Sequence, residues 1–342
     1  MVRFLSAGAL CPFLALPSIR AMSTSTTSGV SKGAAIEPTP WSDVAIRAAK
    51  DFTISQRQKL ADLGALDIQR PVKIIGTPLN DNDENDINND LNTNTKVTKT
   101  IHLQRHGQGF HNLICDVWRE KGLPIDFDST DPDVNPVIRE EFLDPPLTET
   151  GRRQCKDRRI QCATLSPELV IVSPLLRCIQ TAKLSFVDHL PSMNGKNDPK
   201  SADYVPWVSH EGCREELGLL VGNKRRPISD IIMDYPDIDF SVIEHDEDIL
   251  WENYGIRRET LLEKSERIYN FLTEYVRNRP EEDIAIVSHS AYLFTLLNAV
   301  MDIESEDLRY WFLTSEVRSM KVTFEVNDQY SEDNCAEKKG ED

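Results

Sequence analysis

Two runs restrict the fold of this chain more than any other feature: Leu169-Val170-Ile171-Val172 and Ile284-Ala285-Ile286-Val287, each followed at once by serine. A strand with one wet face alternates apolar and polar residues, whereas a strand that is apolar throughout has both faces covered. Short strands of this kind, separated by helical patterns, call for a parallel sheet with helices on each side. Expected strands cover 100–104, 169–172, 204–208, 284–287 and 320–326. Expected helices cover 111–120, 148–164, 175–186, 228–235, 257–278 and 291–301. Ser173 and Pro174 read as the N-cap and first position of the third helix. In 257–278, Leu261, Ile268, Leu272 and Tyr275 keep helical spacing and form one buried stripe, while 291–301 is apolar nearly all round. The expected architecture is α/β, a three-layer α/β/α sandwich around a mostly parallel sheet, in one catalytic domain over 41–326.

Outside this pattern the chain changes character. Residues 1–40 have no acid before Glu37, Arg3 and Arg20 flank an apolar stretch, and a Ser/Thr/Gly-rich tract follows Met22. That composition fits an organellar (mitochondrial or plastid) transit segment. Residues 4–16 also fit a secretory core, and Met22 as the true start would leave a cytoplasmic protein. Residues 41–67 read as irregular structure with a short amphipathic helix. Residues 80–98 hold so much Asn and Asp that they cannot bury enough apolar surface to order. A calcium loop there lacks the fixed glycine and terminal glutamate of an EF-hand. Residues 327–342 read as a disordered tail.

The net charge of −17 argues against nucleic acid or an anionic membrane as partner, and no run is long enough to span a membrane. Seven cysteines show no metal-ligand spacing, and Cys115, Cys155, Cys162 and Cys178 fall in expected helices, so they read as reduced buried thiols. Arginines gather in the middle of the chain. Of these, Arg153, Arg158 and Arg159 read as solvated helix faces.

The chemistry lies at strand ends. The first expected strand ends in Arg105-His106-Gly107, the second is followed by Ser173 and Arg177, and the fourth by Ser288-His289-Ser290. In open α/β sheets, ligands bind at the carboxyl ends of strands. Two guanidiniums and several helix N-termini gathered there favour a phosphate-like anion. A neutral imidazole attacks phosphorus near pH 7, so His106 reads as nucleophile. His289 would serve best protonated, as a further donor. The leaving alkoxide needs a proton, and Glu215 or Glu216, in the stretch Cys213 to Gly218, is the source. A metal held by His102, His106 and His111 lacks an acidic ligand at suitable spacing. His102 then reads as a packed strand residue, and His111 lines the pocket or caps a helix. Lys224-Arg225-Arg226 either meet a second charge on the substrate or form a solvated loop, and the acidic segment 237–253 forms the rim.

Five stretches in this order carry a resemblance: LQRHGQGFHN (103–112), PPLTETGRRQ (145–154), VSPLLRCIQTA (172–182), CREELG (213–218) and IVSHSAYL (286–293). Together they resemble the histidine phosphatase superfamily, which includes the cofactor-dependent phosphoglycerate mutases, over about 100–324. The RHGxGxHN form is similar to the plant and fungal phosphoglycerate mutase-like subgroup. The resemblance implies that His106 is phosphorylated, that Arg105, Arg177 and His289 form the phosphate pocket, that Glu215 is the proton donor and that Asn112 touches phosphoryl oxygens. Gln108, Gly109, Thr148, Ser290, Lys224 and Arg225 complete the expected substrate-binding set. Mutases typically continue RHGES and carry a Gly-Trp element soon after. Here Gln108 and Gly109 follow, so hydrolysis of a phosphomonoester is expected ahead of mutase activity or a non-catalytic regulatory role. Neither metal nor cofactor is implied. The expected partner is a small phosphorylated metabolite, with a phosphoprotein as the second choice.

Overall fold

The computed structural model describes residues 41–79, 96–189, 204–327 and 330. The expected targeting segment, nearly all of the Asn/Asp-rich stretch and nearly all of the expected tail lie outside the described residues. Among the described residues the seven strands are β1 (Val72–Pro78), β2 (Lys96–Arg105), β3 (Leu169–Val172), β4 (Trp207–Ser209), β5 (Asp283–Ser288), β6 (Asp302–Ile303) and β7 (Val317–Val326). They form one sheet in the order β4-β3-β5-β2-β7-β1-β6. The β4-β3-β5-β2 half is parallel, β7 runs antiparallel to both β2 and β1, and β6 pairs in parallel with β1.

The helices are α1 (Asp43–Asp62), α2 (Phe110–Glu120), α3 (Glu149–Cys162), α4 (Leu176–Ser185), α5 (Ile228–Asp234), α6 (Ile249–Glu252), α7 (Leu261–Asn270), α8 (Ser290–Thr295) and α9 (Glu306–Arg309). Alternate residues of the apolar strands enter opposite cores. Leu169, Ile171, Ile284 and Ile286 pack with Ile268 of α7 and Leu293 of α8. Val170, Val172, Ala285 and Val287 pack with Ile179 of α4 and Ile231 of α5. Burial on both faces is what an all-apolar strand requires, and the result is the expected three-layer α/β/α sandwich.

Several local expectations are corrected. Strands β1 and β6 were not expected; β1 completes the sheet through β7, and β6 covers its edge. Strand β2 starts at Lys96 because it pairs along its length with β7. Residues 43–62 form one 20-residue helix, started by the Ser42 side chain accepting from Ala45 N. Helix α7 begins at a capping box between Thr260 and Glu263, and its C-terminal end loosens into a wide turn over Phe271–Val276. A similar wide turn, Leu296–Val300, follows α8. Helix α4 starts at Leu176, with Leu175 rather than Ser173 at the N-cap. Arg158 is buried beneath the Trp41 ring, 5.0 Å away, and not solvated. Asn327 is tied down, its N–H donating to the Pro71 carbonyl and its side chain to that of Arg70.

Candidate active site

Strand register levels the candidate residues at one end of the sheet. Arg105 pairs across from Ser288, and Val172 across from both Val287 and Ser209. The ladder continues past the strand ends: His106 N–H donates to the Ser288 carbonyl and Ser173 N–H to that of Val287. His106 and His289 are thereby set side by side, ring centroids 5.1 Å apart, and the His111 ring lies 5.4 Å from that of His106.

The turn after His106 packs this closely because Gly107 and Gly109 lack side chains. A Cβ on Gly107 would lie 2.7 Å from the Gly151 carbonyl oxygen, and one on Gly109 2.7 Å from the His111 ring. His106 Nδ1 is 2.6 Å from the Gly107 carbonyl oxygen, which only accepts. The proton therefore sits on Nδ1, and Nε2 keeps its lone pair. Burial, then Arg177 and Arg105, push the His106 pKa well below its usual value, so the ring is neutral.

Both guanidiniums are buried. Arg105 Nη1 donates to the Phe312 carbonyl at 2.7 Å, and its Nε has no partner. Burial lowers its pKa to about 10, still charged at neutral pH, with Glu215 and Glu316 opposing the shift. Arg177 donates through Nε to His289 Nδ1 (3.3 Å), Nη1 to the Gly222 carbonyl (2.7 Å) and Nη2 to Asn223 Oδ1 (3.0 Å). Neither is in an ion pair with a described carboxylate. Asn223 was not singled out from sequence; it follows an apolar run and no local pattern marks it.

Glu215 and Glu216 have different surroundings. Glu215 accepts from the backbone N–H groups of Ala291 and Tyr292, both at 3.2 Å. Burial, reinforced by the Glu216 charge, raises its pKa. Burial also works to raise Glu216, but Arg258 and Lys264 prevail and hold it down to about 2. Its carboxylate bridges Lys264 Nζ (2.7 Å) and Arg258. A carboxylate clamped by two cations has no proton to give, which leaves Glu215.

Three expectations change here. Helix N-termini were expected to meet the anion directly, yet Asp144 Oδ1 accepts from Leu176 N, Asn112 Oδ1 from Gly109 N, and Glu215 from α8. Asn112 is thus engaged as a helix cap. Secondly, His289 is neutral here: Arg177 feeds Nδ1, and burial with Arg177 and His106 lowers its pKa well below the usual value. Thirdly, Arg225 is buried and turned toward the acidic segment, pairing with Glu211 (2.8 Å) and donating to the carbonyls of His245, Asp246 and Glu247. Lys224 pairs with Glu252 at 2.9 Å.

The remaining expected residues support the turn. Thr148 caps α3 and donates to Gln108 Oε1 at 2.8 Å. Ser290 Oγ is buried without a partner. His102 is a packed strand residue between Ser319 (2.7 Å) and Asp283 (2.8 Å). Cys115, Cys155, Cys162, Cys178 and Cys213 are free and buried. Among the described residues no group of three His, Cys, Asp or Glu side chains is placed to hold a metal ion, and no helix is long and apolar enough to cross a membrane.

A neutral imidazole whose Nε2 keeps its lone pair, two buried cations and a buried carboxyl with raised pKa define a phosphoryl-transfer site. The family model of the histidine phosphatase superfamily (branch 1) matches residues 138–331. Phosphoglycerate mutase-like protein 1 of Arabidopsis thaliana is 36% identical over 247 residues, covering 66% of this chain and 81% of its own. A second Arabidopsis thaliana phosphoglycerate mutase-like protein is 34% identical over 246 residues, covering 66% and 84%. The native structure of a mycobacterial glucosyl-3-phosphoglycerate phosphatase aligns with a TM-score of 0.37 at 16% identity, covering 66% of this chain and 91% of its own. This chain belongs to the histidine phosphatase superfamily, and its activity is of the phosphatase or mutase type.

Proposed function

We propose that the chain is a metal-independent phosphatase that hydrolyses a phosphomonoester through a phosphohistidine on His106. The observation that carries this reading is charge. Arg105 and Arg177 are buried beside a neutral His106, and their bonds go to carbonyls, an amide and an imidazole. Buried cations without a carboxylate are costly unless an anion completes the site.

In the first step the two guanidiniums hold the non-bridging oxygens and His106 Nε2 attacks phosphorus. The P–N bond forms, the ester P–O bond breaks, and Glu215 gives its proton to the leaving oxygen. In the second step Glu215 takes a proton from a water that attacks phosphorus. The P–N bond breaks, releasing orthophosphate and restoring neutral His106.

Hydrolysis is favoured over mutase transfer by the rim cations. Lys224, Arg225 and Arg226 pair with Glu252, Glu211 and Asp234, which leaves them poorly placed to hold a second anionic group. The test is a screen of phosphorylated metabolites and phosphopeptides with wild type and His106→Ala, with product analysis. Release of orthophosphate without isomer interconversion is expected; interconversion would establish the mutase. No turnover of any substrate would leave a regulatory binding role. The composition of residues 1–40 supports an organellar address, which imaging of a fusion carrying those residues tests.

A further inference from the structure

We propose that Ser173 is a positioning residue that allows His289 to present a donor N–H to the phosphoryl group while remaining neutral. The proposal rests on the phosphoryl-pocket reading above. Adjacent parallel strands β3 and β5 end level, so Ser173 and His289 follow them side by side, and Ser173 Oγ lies 2.8 Å from His289 Nε2. The sequence marks Ser173 as a helix cap; α4 starts beyond it, and its hydroxyl accepts from Leu175 N only at 3.5 Å while lying closer to the histidine.

Both ring nitrogens of His289 are engaged by protein. A guanidinium N–H only donates, so the bond from Arg177 Nε makes Nδ1 an acceptor, and the ring proton lies on Nε2, pointing to Ser173 Oγ. Cys178 Sγ lies 3.3 Å from Nε2, and its thiol points to the Ser288 carbonyl at 3.4 Å. In this form the ring has no N–H left for a phosphoryl oxygen.

Two routes supply one. The ring gains a second proton and becomes imidazolium, or one proton leaves Nε2 for water while water supplies one to Nδ1. Burial and the two cations near the ring, Arg177 from α4 and Arg214 ahead of Glu215, disfavour the first route. His106 at the end of β2, His111 from α2 and Cys178 from α4 are neutral, and the nearby acid Glu215 is seated on the start of α8. The second route changes no net charge, and it needs a neighbour of Nε2 that both accepts and donates. A serine hydroxyl does both. After the exchange Ser173 O–H donates to Nε2, Nδ1–H faces the phosphoryl oxygen, and Arg177 Nε–H turns to the same anion.

The test is the pH profile of kcat/KM for Ser173→Ala beside Ser173→Thr. With alanine the hydroxyl route is lost and the disfavoured imidazolium has to supply the donor, so kcat/KM falls about tenfold at pH 8 and the loss narrows as the pH falls, while threonine keeps the wild-type profile. Equal fractional loss at every pH overturns the proposal. Ring 15N NMR of wild type with inorganic vanadate provides a second measurement that does not depend on a variant's folding, with the His289 signals assigned by their loss in His289→Asn. A neutral ring protonated at Nδ1 in the vanadate complex is expected; imidazolium, or a proton retained on Nε2, overturns it. Absence of turnover or of a label on His106 in wild type would count against the phosphatase reading instead, and the NMR result would still report the tautomer.

Discussion

The Glu215 carboxylate accepts from the Ala291 backbone N–H at 3.2 Å, which seats it on the helix that starts one residue after His289. Its raised pKa and this placement fit an acid that protonates a leaving oxygen. Glu215→Gln should therefore slow hydrolysis of alkyl phosphates by roughly 10²–10⁴-fold, and that of p-nitrophenyl phosphate far less, because nitrophenolate leaves without a proton. Steady-state kinetics on both substrates checks this. Equal losses would move the donor role elsewhere.

Glu216→Gln should behave differently. The change removes the negative charge between Lys264 and Arg258, both largely buried. Lys264 loses its carboxylate, whereas Arg258 keeps Asp128, and breaking a buried ion pair destabilises by about 3 kcal/mol or more. Urea unfolding should show that loss, while the leaving-group dependence of the folded fraction stays that of wild type.

The Gly107 carbonyl holds the proton on His106 Nδ1 and leaves Nε2 to react. Rapid quenching of wild type with a 32P-labelled substrate should trap a label that survives base and is lost in acid. His106→Ala should carry no label and lose at least about 10³-fold in turnover. A base-stable label on the alanine variant would reject the assignment.

Stability should fall as the medium is acidified below about pH 6.5. His106, His111 and His289 all have folded-state pKa values well below that ordinary value, through burial first and Arg177 next. The unfolded chain therefore takes up protons that the fold refuses, and each one removes about 1.4 kcal/mol per pH unit. Glu216, held at about 2 against an ordinary 4.5, has the same sign and acts between those values. Glu215, raised, opposes them, since its contribution is present at low pH and lost as pH rises through its folded value. Urea unfolding from pH 7.5 to 5 should show the decline, less steep in His111→Asn.

Removal of metal should leave hydrolysis unchanged, because the proposed mechanism assigns charge neutralisation to Arg105 and Arg177. Dialysis against EDTA before assay checks this. Lost activity that a divalent cation restores would require a different mechanism.

Much of the fold was legible because its signals are local. The apolar runs at 169–172 and 284–287 require two covered faces wherever they sit, and the sandwich supplies them. Strand β1 was missed because its partner, β7, lies far along the chain. The same remoteness hid Asn223, which matters only because Arg177 reaches it.

Of the candidate site, residue type and strand-end position pointed to His106, Arg105, Arg177, Glu215 and His289 before any contact was known. Charge state and pairing followed different rules. A glutamate pair reads alike in sequence, and only Lys264 and Arg258, brought in from α7 and the loop before it, separate Glu216 from Glu215. Arg225 reads as a free cation until Glu211 and three carbonyls surround it. Ser173 reads as a helix cap until His289 arrives from another strand. Which residues are candidates for the chemistry was set by the sequence itself, because charge, nucleophilicity and backbone pattern belong to each residue. Protonation and pairing were decided by the tertiary structure, because both depend on burial and on neighbours that only folding assembles.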